Sequence, residues 1–436
     1  MKRATPVVAE SRKHQLKIRV SWRIHVLVFI VAFAILLTRR PDAFFKAQFW
    51  AEDGAVWYSD AYNAGIIHSL FLPHAGYFQT ISRLTASIAQ FFPLVYAPFI
   101  FNLTAIVIEI LPVHLITSSR FSALIPSLST RLFLALLYLA LPNSYEVHAN
   151  ITNAHWHLAL VACMVVLATP SRCLLWRVFD IGVTLLSALS GPFSLLLAPV
   201  AAMLWWLRRG KWLFVLLLCL ITGAVVQGTV VLQTALTARS QTSLGATPEL
   251  FAKIVGGQVF LAALIGQKGY AWIRSDSLAY TLLAVLVASA GIAAFLYCLR
   301  NAPLELGLFS TFAALVLGVS LLSPVGCGTT PAWQCLWIPG VSGRYWFIPM
   351  LAFAIILIWL LQERNPLSLR RVAVAALLTM LIGISLDWKY PAFADLNFGR
   401  HSSKFAAVSE GTTMNIPINP PPEWFMELTK HQGIRI

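Results

Sequence analysis

The sequence predicts an all-α fold, a polytopic transmembrane bundle of about eleven helices. Three observations predict it. Of 436 residues, 58% are hydrophobic and only 11% charged, against roughly 25% charged in soluble globular domains, and the mean hydropathy is +0.74. Apolar stretches of Leu, Val, Ala, Phe and Ile recur at helical length, without the alternation that a membrane barrel requires. Basic residues gather in the short connections of one side, as the positive-inside rule demands.

Residues 1–23 form a basic N-terminus with Lys2, Arg3, Arg12, Lys13, Lys17, Arg19 and Arg23. The apolar run Ile24 to Leu37 follows with no small-residue cleavage site, so it reads as an uncleaved signal anchor. The N-terminus is then cytoplasmic and the chain after Leu37 lies outside, although Arg39 and Arg40 flank that outer end.

Further helices are expected at 96–117, 131–142, 156–169, 178–190, 192–207, 212–236, 278–299, 305–323, 345–361 and 371–387, so that the bundle occupies 24–387. Arg120, Arg131, Arg172, Arg177, Arg208, Arg209, Lys211, Arg300, Arg364, Arg370 and Arg371 then all fall in short cytoplasmic loops. The same order sends 38–95, 143–155, 237–277 and 324–344 outward, and with them the tail 388–436 and the C-terminus. The prolines of 417–422 exclude a helix there and leave that part of the tail extended against the outer face.

The net charge of +15 is explained by positive loops against anionic lipid headgroups, not by nucleic acid. No phosphate-binding glycine loop follows a plausible strand, which disfavours an ATP-driven pump or a cytoplasmic nucleotide-sugar enzyme. Function is therefore sought in the outer segments.

The first of these carries Trp50-Ala51-Glu52-Asp53-Gly54, an adjacent acid pair in a chain with only 17 Asp and Glu. A helix starting at Glu52-Asp53 and running to a break at Gly65 explains the pair as first-turn carboxylates on an interfacial helix anchored by Trp50, Trp57 and Tyr58. Asp60, His68, His74, Tyr77, Gln79 and Arg83 in the same stretch support a second reading, an active site, since aromatic rings beside acids suit a sugar. Both readings stand at this point.

The second outer segment holds Glu146, His148, Asn150, Asn153 and His155, either as a hydrated turn or as a second polar wall of that site. Asn150-Ile151-Thr152 has the form of a glycosylation sequon. His155 and His157 fall on opposite sides of a helix, and no compact metal-ligand spacing occurs. No cofactor is called for, although an acid such as Asp53 with a partner could hold a divalent metal.

Glu109 lies within a helix and needs a partner, as a structural hydrogen bond or as part of an ion path. Arg344-Tyr345 at a late helix mouth is either a snorkelling anchor or a phosphate-binding fork. Cys327 and Cys335 share a loop and can close a disulfide in an oxidising compartment.

A cytoplasmic N-terminus, an acid soon after the first helix, many further helices and an Arg-Tyr at a late helix mouth together resemble the GT-C superfamily of glycosyltransferases. The lack of a large soluble domain after the helices sets the chain apart from the oligosaccharyltransferase type. The resemblance implies a sugar carried on a polyprenyl-phosphate donor, an envelope glycan or lipid acceptor, and a site facing outward from a bacterial inner membrane. It implies Asp53 as the general base, with Glu52 second, and Arg344 with Arg83 against the departing phosphate. Trp50, Tyr58, His74, Tyr77, Glu146, His148, His155 and Tyr345 are then the expected substrate-binding residues. The alternatives are an O-antigen-type polymerase or ligase, and a secondary transporter or flippase, although no half-to-half repeat is evident.

Overall fold

The computed structural model describes residues 22–234, 242–325 and 330–434. Most of the basic N-terminus lies outside the described residues, and so does the Cys327–Cys335 pairing, because Cys327 is not among them.

Every expected helix is present: Trp22–Arg39, Ala97–Thr117, Leu128–Leu139, Ala154–Leu167, Leu174–Ala188, Phe193–Arg208, Lys211–Thr234, Leu278–Asn301, Leu304–Leu322, Gly343–Leu360 and Leu367–Leu386. Together they make a multi-pass membrane protein. Among the described residues, eight stretches are long and apolar enough to cross a membrane. Two helices are packed deep between neighbours. Every residue of Ala154–Leu167 is buried, and 83% of Gly343–Leu360 is. Trp22–Arg39 and Leu367–Leu386 are only 17% buried, so their apolar sides face lipid.

One apolar stretch was not expected as a helix. Pro248–Ile273, inside the segment read as an outer loop, is helical and 72% buried. Its length alone suggests a further crossing, but its ends meet. Lys253 Nζ lies 4.8 Å and Arg274 Cζ 3.6 Å from the centre of the same Trp337 ring, and Lys253 reaches Asp276 at 3.8 Å. Between them the chain dips inward, with Gly256 against Ala284 and Gly291 against Phe260. It turns back at Gly266, whose φ of 74° lies in the left-handed region. Asp387 fixes the turn, its carboxylate accepting from the backbone N–H of Asn143, Gln267 and Lys268 at 3.0, 2.5 and 3.3 Å. The segment folds back on itself.

Arg39 provides an independent check. Buried at 2% exposure, it donates to the carbonyls of Leu139 at 2.6 Å and Leu141 at 3.1 Å, and to those of Asp387 and Trp388 at 3.4 Å. These carbonyls belong to the C-terminal ends of two helices, where intrahelical partners run out. Three helices, Trp22–Arg39, Leu128–Leu139 and Leu367–Leu386, therefore end at one face of the bundle. An added crossing at 248–273 would put the last of them at the opposite face.

Other arginines read as loop charges also have structural roles. Arg120 holds Asp180 through both carboxylate oxygens at 2.5 and 3.0 Å. Arg131 donates to the carbonyls of Thr117 and Ser118.

The tail is more ordered than expected. A helix, Phe398–Ala407, precedes the prolines, and strands Thr413–Pro417 and Phe425–Thr429 flank them as an antiparallel pair. Ile416, Met426 and Leu428 turn inward at 0% exposure. The pair docks on the first loop: Asn63 donates to Glu427 O at 2.8 Å and accepts from Thr429 N–H at 3.0 Å.

Candidate functional site

The acid pair sits where three segments meet. Ala51 N–H donates to Asn419 O at 2.5 Å and Asn419 N–H to Phe49 O at 3.2 Å. This clasp holds Ala51 at a φ of 42°, a conformation that costs about 1–2 kcal/mol for a residue with a Cβ. Trp50 stacks on Phe393 with ring centres 5.2 Å apart. Asp53 then opens the π-helical turn Asp53–Tyr58, and the chain breaks at Gly65, φ 99°.

Asp53 is fully buried. Its Oδ1 accepts from Thr152 N–H at 2.8 Å and Thr152 Oγ1 at 2.6 Å, and its Oδ2 from Ile151 N–H at 3.1 Å. Three donors favour the ionised carboxyl, but burial outweighs them and pushes the group up to about 7. Thr152 Oγ1 in turn accepts from Trp57 Nε1 at 2.9 Å. Asp53 thus ties segment 38–95 to segment 143–155.

Glu52 differs. It is half-buried, and among the described residues its carboxylate has no hydrogen-bond partner. It is close enough to His74 to raise that imidazole's affinity for protons, while the larger effect of burial lowers it. His74 and Tyr77 pair through the tight turn at Ala75-Gly76, both with positive φ, and the His74 ring meets Trp57 edge-on at 5.1 Å.

Arg83 is buried behind this wall, salt-bridged to Asp60 at 2.6 Å, donating to Leu72 O at 3.2 Å and lying 4.7 Å over Trp57. Its guanidinium faces Asp60, not open space. Tyr58 is likewise buried, packed on Phe49 and Phe101.

The opposite wall is the Glu146–Arg344 pair. Arg344 Nη1 is ion-paired to Glu146, its backbone N–H donates to Glu146 Oε2 at 3.0 Å, and Nη2 donates to Val325 O at 3.2 Å. Tyr345 accepts from Val325 N–H at 2.8 Å. Tyr77 stands between the walls, within electrostatic reach of Arg344 and with its ring 6.3 Å from that of His155. His155 is buried beside the Thr152 backbone, whose hydrogen bond opposes the lowering of its proton affinity by burial. Glu52, His74, Tyr77, His155, Glu146 and Arg344 thus border one polar region at the face where Arg39 gathers helix ends.

His148 is buried behind it and pairs with Glu109, Nδ1 lying 3.0 and 3.1 Å from the two carboxylate oxygens. Burial lowers the affinity of His148 for protons and Glu109 opposes this. His157, on the far side of its helix from His155, reaches Tyr138 at 2.7 Å and Val147 O at 2.9 Å. The sequon is consumed internally: Asn150 is 1% exposed and donates to Glu146 O and His148 O.

The residues do not fit a divalent metal. Both Asp53 oxygens face N–H and O–H donors, which repel a cation, and among the described residues no three His, Cys, Asp or Glu side chains converge.

Sequence reasoning missed the roles of Arg39, Arg40, Asp387, Asn419 and Tyr390. Arg40 lies over Phe393 at 4.4 Å and donates to His148 O, while Arg39 lies 4.1 Å over Tyr390. The one available signal was the arginine pair at the wrong end of the first helix for the positive-inside rule.

Fold and site define a multi-pass membrane protein with a polar region at one face of its bundle. No family model and no curated protein matches the sequence. Among solved structures it is similar to the Archaeoglobus fulgidus oligosaccharyltransferase in the apo form, at 13% identity and a TM-score of 0.42, covering 94% of this chain and 61% of that one. The form of that protein tethered to an acceptor peptide gives 11% identity and the same TM-score and coverage. The complex with Zn and sulfate gives 13% and 0.36, covering 88% of this chain and 56% of that one. This chain spans about three fifths of that protein's length. At such values nothing about chemistry follows from the likeness.

Proposed function

We propose that this protein is a membrane glycosyltransferase that moves a sugar from a polyprenyl-phosphate donor to an envelope glycan or lipid acceptor, at the outer face of a bacterial inner membrane. The observation that carries the reading is the run of neighbours that leads from a half-buried, unpartnered acid, Glu52, through His74 and Tyr77 to His155 and to Arg344 with its partner Glu146.

Glu52 takes the role of general base ahead of Asp53, because Asp53 is enclosed by three donors. The acceptor hydroxyl gives its proton to Glu52 as its oxygen bonds to the anomeric carbon. The bond from that carbon to the phosphate oxygen breaks, and the polyprenyl phosphate leaves with the electron pair. Arg344, held ready by Glu146, neutralises the charge on that oxygen. Base catalysis contributes about 10²- to 10⁴-fold. Asp53 positions Glu52 by fixing its backbone to residues 151 and 152, and the half-buried Tyr77 and His74 give a sugar an apolar face and a hydrogen-bond partner.

The test is transfer of radiolabelled sugar from a synthetic polyprenyl-phosphate sugar in membranes holding wild type or Glu52→Gln at matched, folded abundance. Label transfer by wild type and its loss in the variant are expected. Equal transfer by both removes Glu52 as the base, and no transfer by wild type from a panel of such donors removes the proposed reaction.

A further inference from the structure

The opposite half of the bundle contains a cavity of about 720 Å³, within the range of roughly 300–1,000 Å³ typical of ligand pockets. Its wall is apolar, with Phe133, Met164, Phe309 and Ile355, while Ser127, Thr130, Gln362 and Glu305, the last ion-paired with Arg208, stand where the helices end. These lining residues belong to the ends of helices at the face away from Arg39. The cavity stops at Tyr138, whose hydroxyl lies 2.8 Å from Glu109 O and 2.7 Å from His157 Nδ1. This polar layer, continued by the Glu109–His148 pair, separates the cavity from the candidate site.

Trp359 lines the cavity, is 4% exposed, and its Nε1–H has no acceptor among the described residues. A buried donor left unpaired is costly. The Arg364 guanidinium lies 5.4 Å from the centre of the same ring. An apolar hollow, a buried N–H on one of its lining residues, and a cation beside that residue's ring suit the hydrocarbon chain, ester carbonyl and phosphate of a phospholipid. An isoprenoid phosphate has no carbonyl to offer, and the polar layer bars this cavity to a chain passing inward from the other face.

We propose that the cavity holds one acyl chain of a phospholipid from the leaflet at this face, with its ester carbonyl on Trp359 Nε1 and its phosphate beside Arg364. The site is independent of the reaction proposed above, and its test reads binding alone.

The full-length protein in nanodiscs is irradiated with phosphatidylglycerol carrying a diazirine on one acyl chain, and labelled peptides are mapped by mass spectrometry. Labelling is expected to concentrate on residues 124–135 and 351–362, to be competed by unlabelled phosphatidylglycerol, and to fall about tenfold in Ala135→Phe, which fills the cavity. Trp359→Phe, which removes the N–H and keeps an aromatic ring, is expected to lower it at an unchanged melting temperature. Labelling spread evenly over the lipid-facing helices Leu278–Asn301 and Leu367–Leu386, or competition by an isoprenoid phosphate and not by phosphatidylglycerol, overturns the proposal.

Discussion

Asp53 and Thr152 are joined twice, the backbone N–H of Thr152 donating to Oδ1 at 2.8 Å and its hydroxyl to the same oxygen at 2.6 Å. A buried acid and a threonine 99 positions apart thereby fix two segments between helices against each other.

The first prediction concerns this joint. Asp53→Asn places an amide against a backbone N–H or loses an acceptor, and is expected to cost about 1–3 kcal/mol, the range for leaving a buried polar group unsatisfied. Thr152→Val is expected to cost less than Asp53→Asn, because the backbone donor survives. Thermal unfolding of both variants and the double variant measures the coupling, and strict additivity would show that the two residues do not form a unit.

The second concerns pH. Burial raises the Asp53 carboxyl from 3.8 to about 7 in the folded chain. Between these values the unfolded chain has lost the proton and the folded chain keeps it, so this group's stabilising contribution is complete below about pH 4 and is lost as pH rises through about 7. Wild type is expected to lose melting temperature relative to Asp53→Asn over that interval, with a constant difference above it. A difference that does not change with pH rules out the raised value.

The third separates Glu52 from its neighbour. Glu52→Gln is expected to leave stability within about 0.5 kcal/mol, as for a surface substitution, while turnover falls about 10²-fold or more. Parallel melting and label-transfer measurements decide it, and equal loss of stability in Glu52→Gln and Asp53→Asn contradicts the division of roles.

The fourth concerns Arg39. Hydrogen bonds involving a charged group contribute about 1.5–3 kcal/mol each, so Arg39→Met, which keeps length and loses the donors, is expected to destabilise strongly. Hydrogen exchange reports where: protection should fall at residues 139–141 and 387–388 before other helix ends. Uniform loss along the bundle argues against a cap of specific ends.

The fifth tests whether the folded-back segment 248–273 stays on one side of the membrane. In a cysteine-free background, single cysteines at Thr247 and Ser275 are expected to react with a membrane-impermeant maleimide from the same side as one at Ser409. Labelling of Thr247 and Ser275 from opposite sides establishes a crossing.

The positions of the helices were legible because an apolar run of membrane length has one stable outcome in lipid, whatever its neighbours are. The break at Gly65 and the opposite facing of His155 and His157 were legible for a similar reason, since they follow from local geometry. Pro248–Ile273 was not read as a helix, because Lys253, Gln258, Gln267 and Lys268 dilute its hydropathy and its burial depends on Trp337, Asp387 and Phe353, all distant in sequence. The tail hairpin was hidden because its pairing and its seat on Asn63 join residues whose composition shows no periodic signal.

By itself, then, the sequence determined the class of protein, the order of its helices and which loops are rich in polar chemistry, because these depend on hydropathy and charge along the chain. Tertiary structure alone decided which member of the acid pair is enclosed, that Arg83 faces Asp60 and Arg344 faces Glu146, and that Arg39 gathers three helix ends. The physical reason is that desolvation and partner choice belong to the space around a side chain. Glu52 and Asp53 are adjacent in sequence, and three hydrogen bonds from residues 151 and 152 make them different groups.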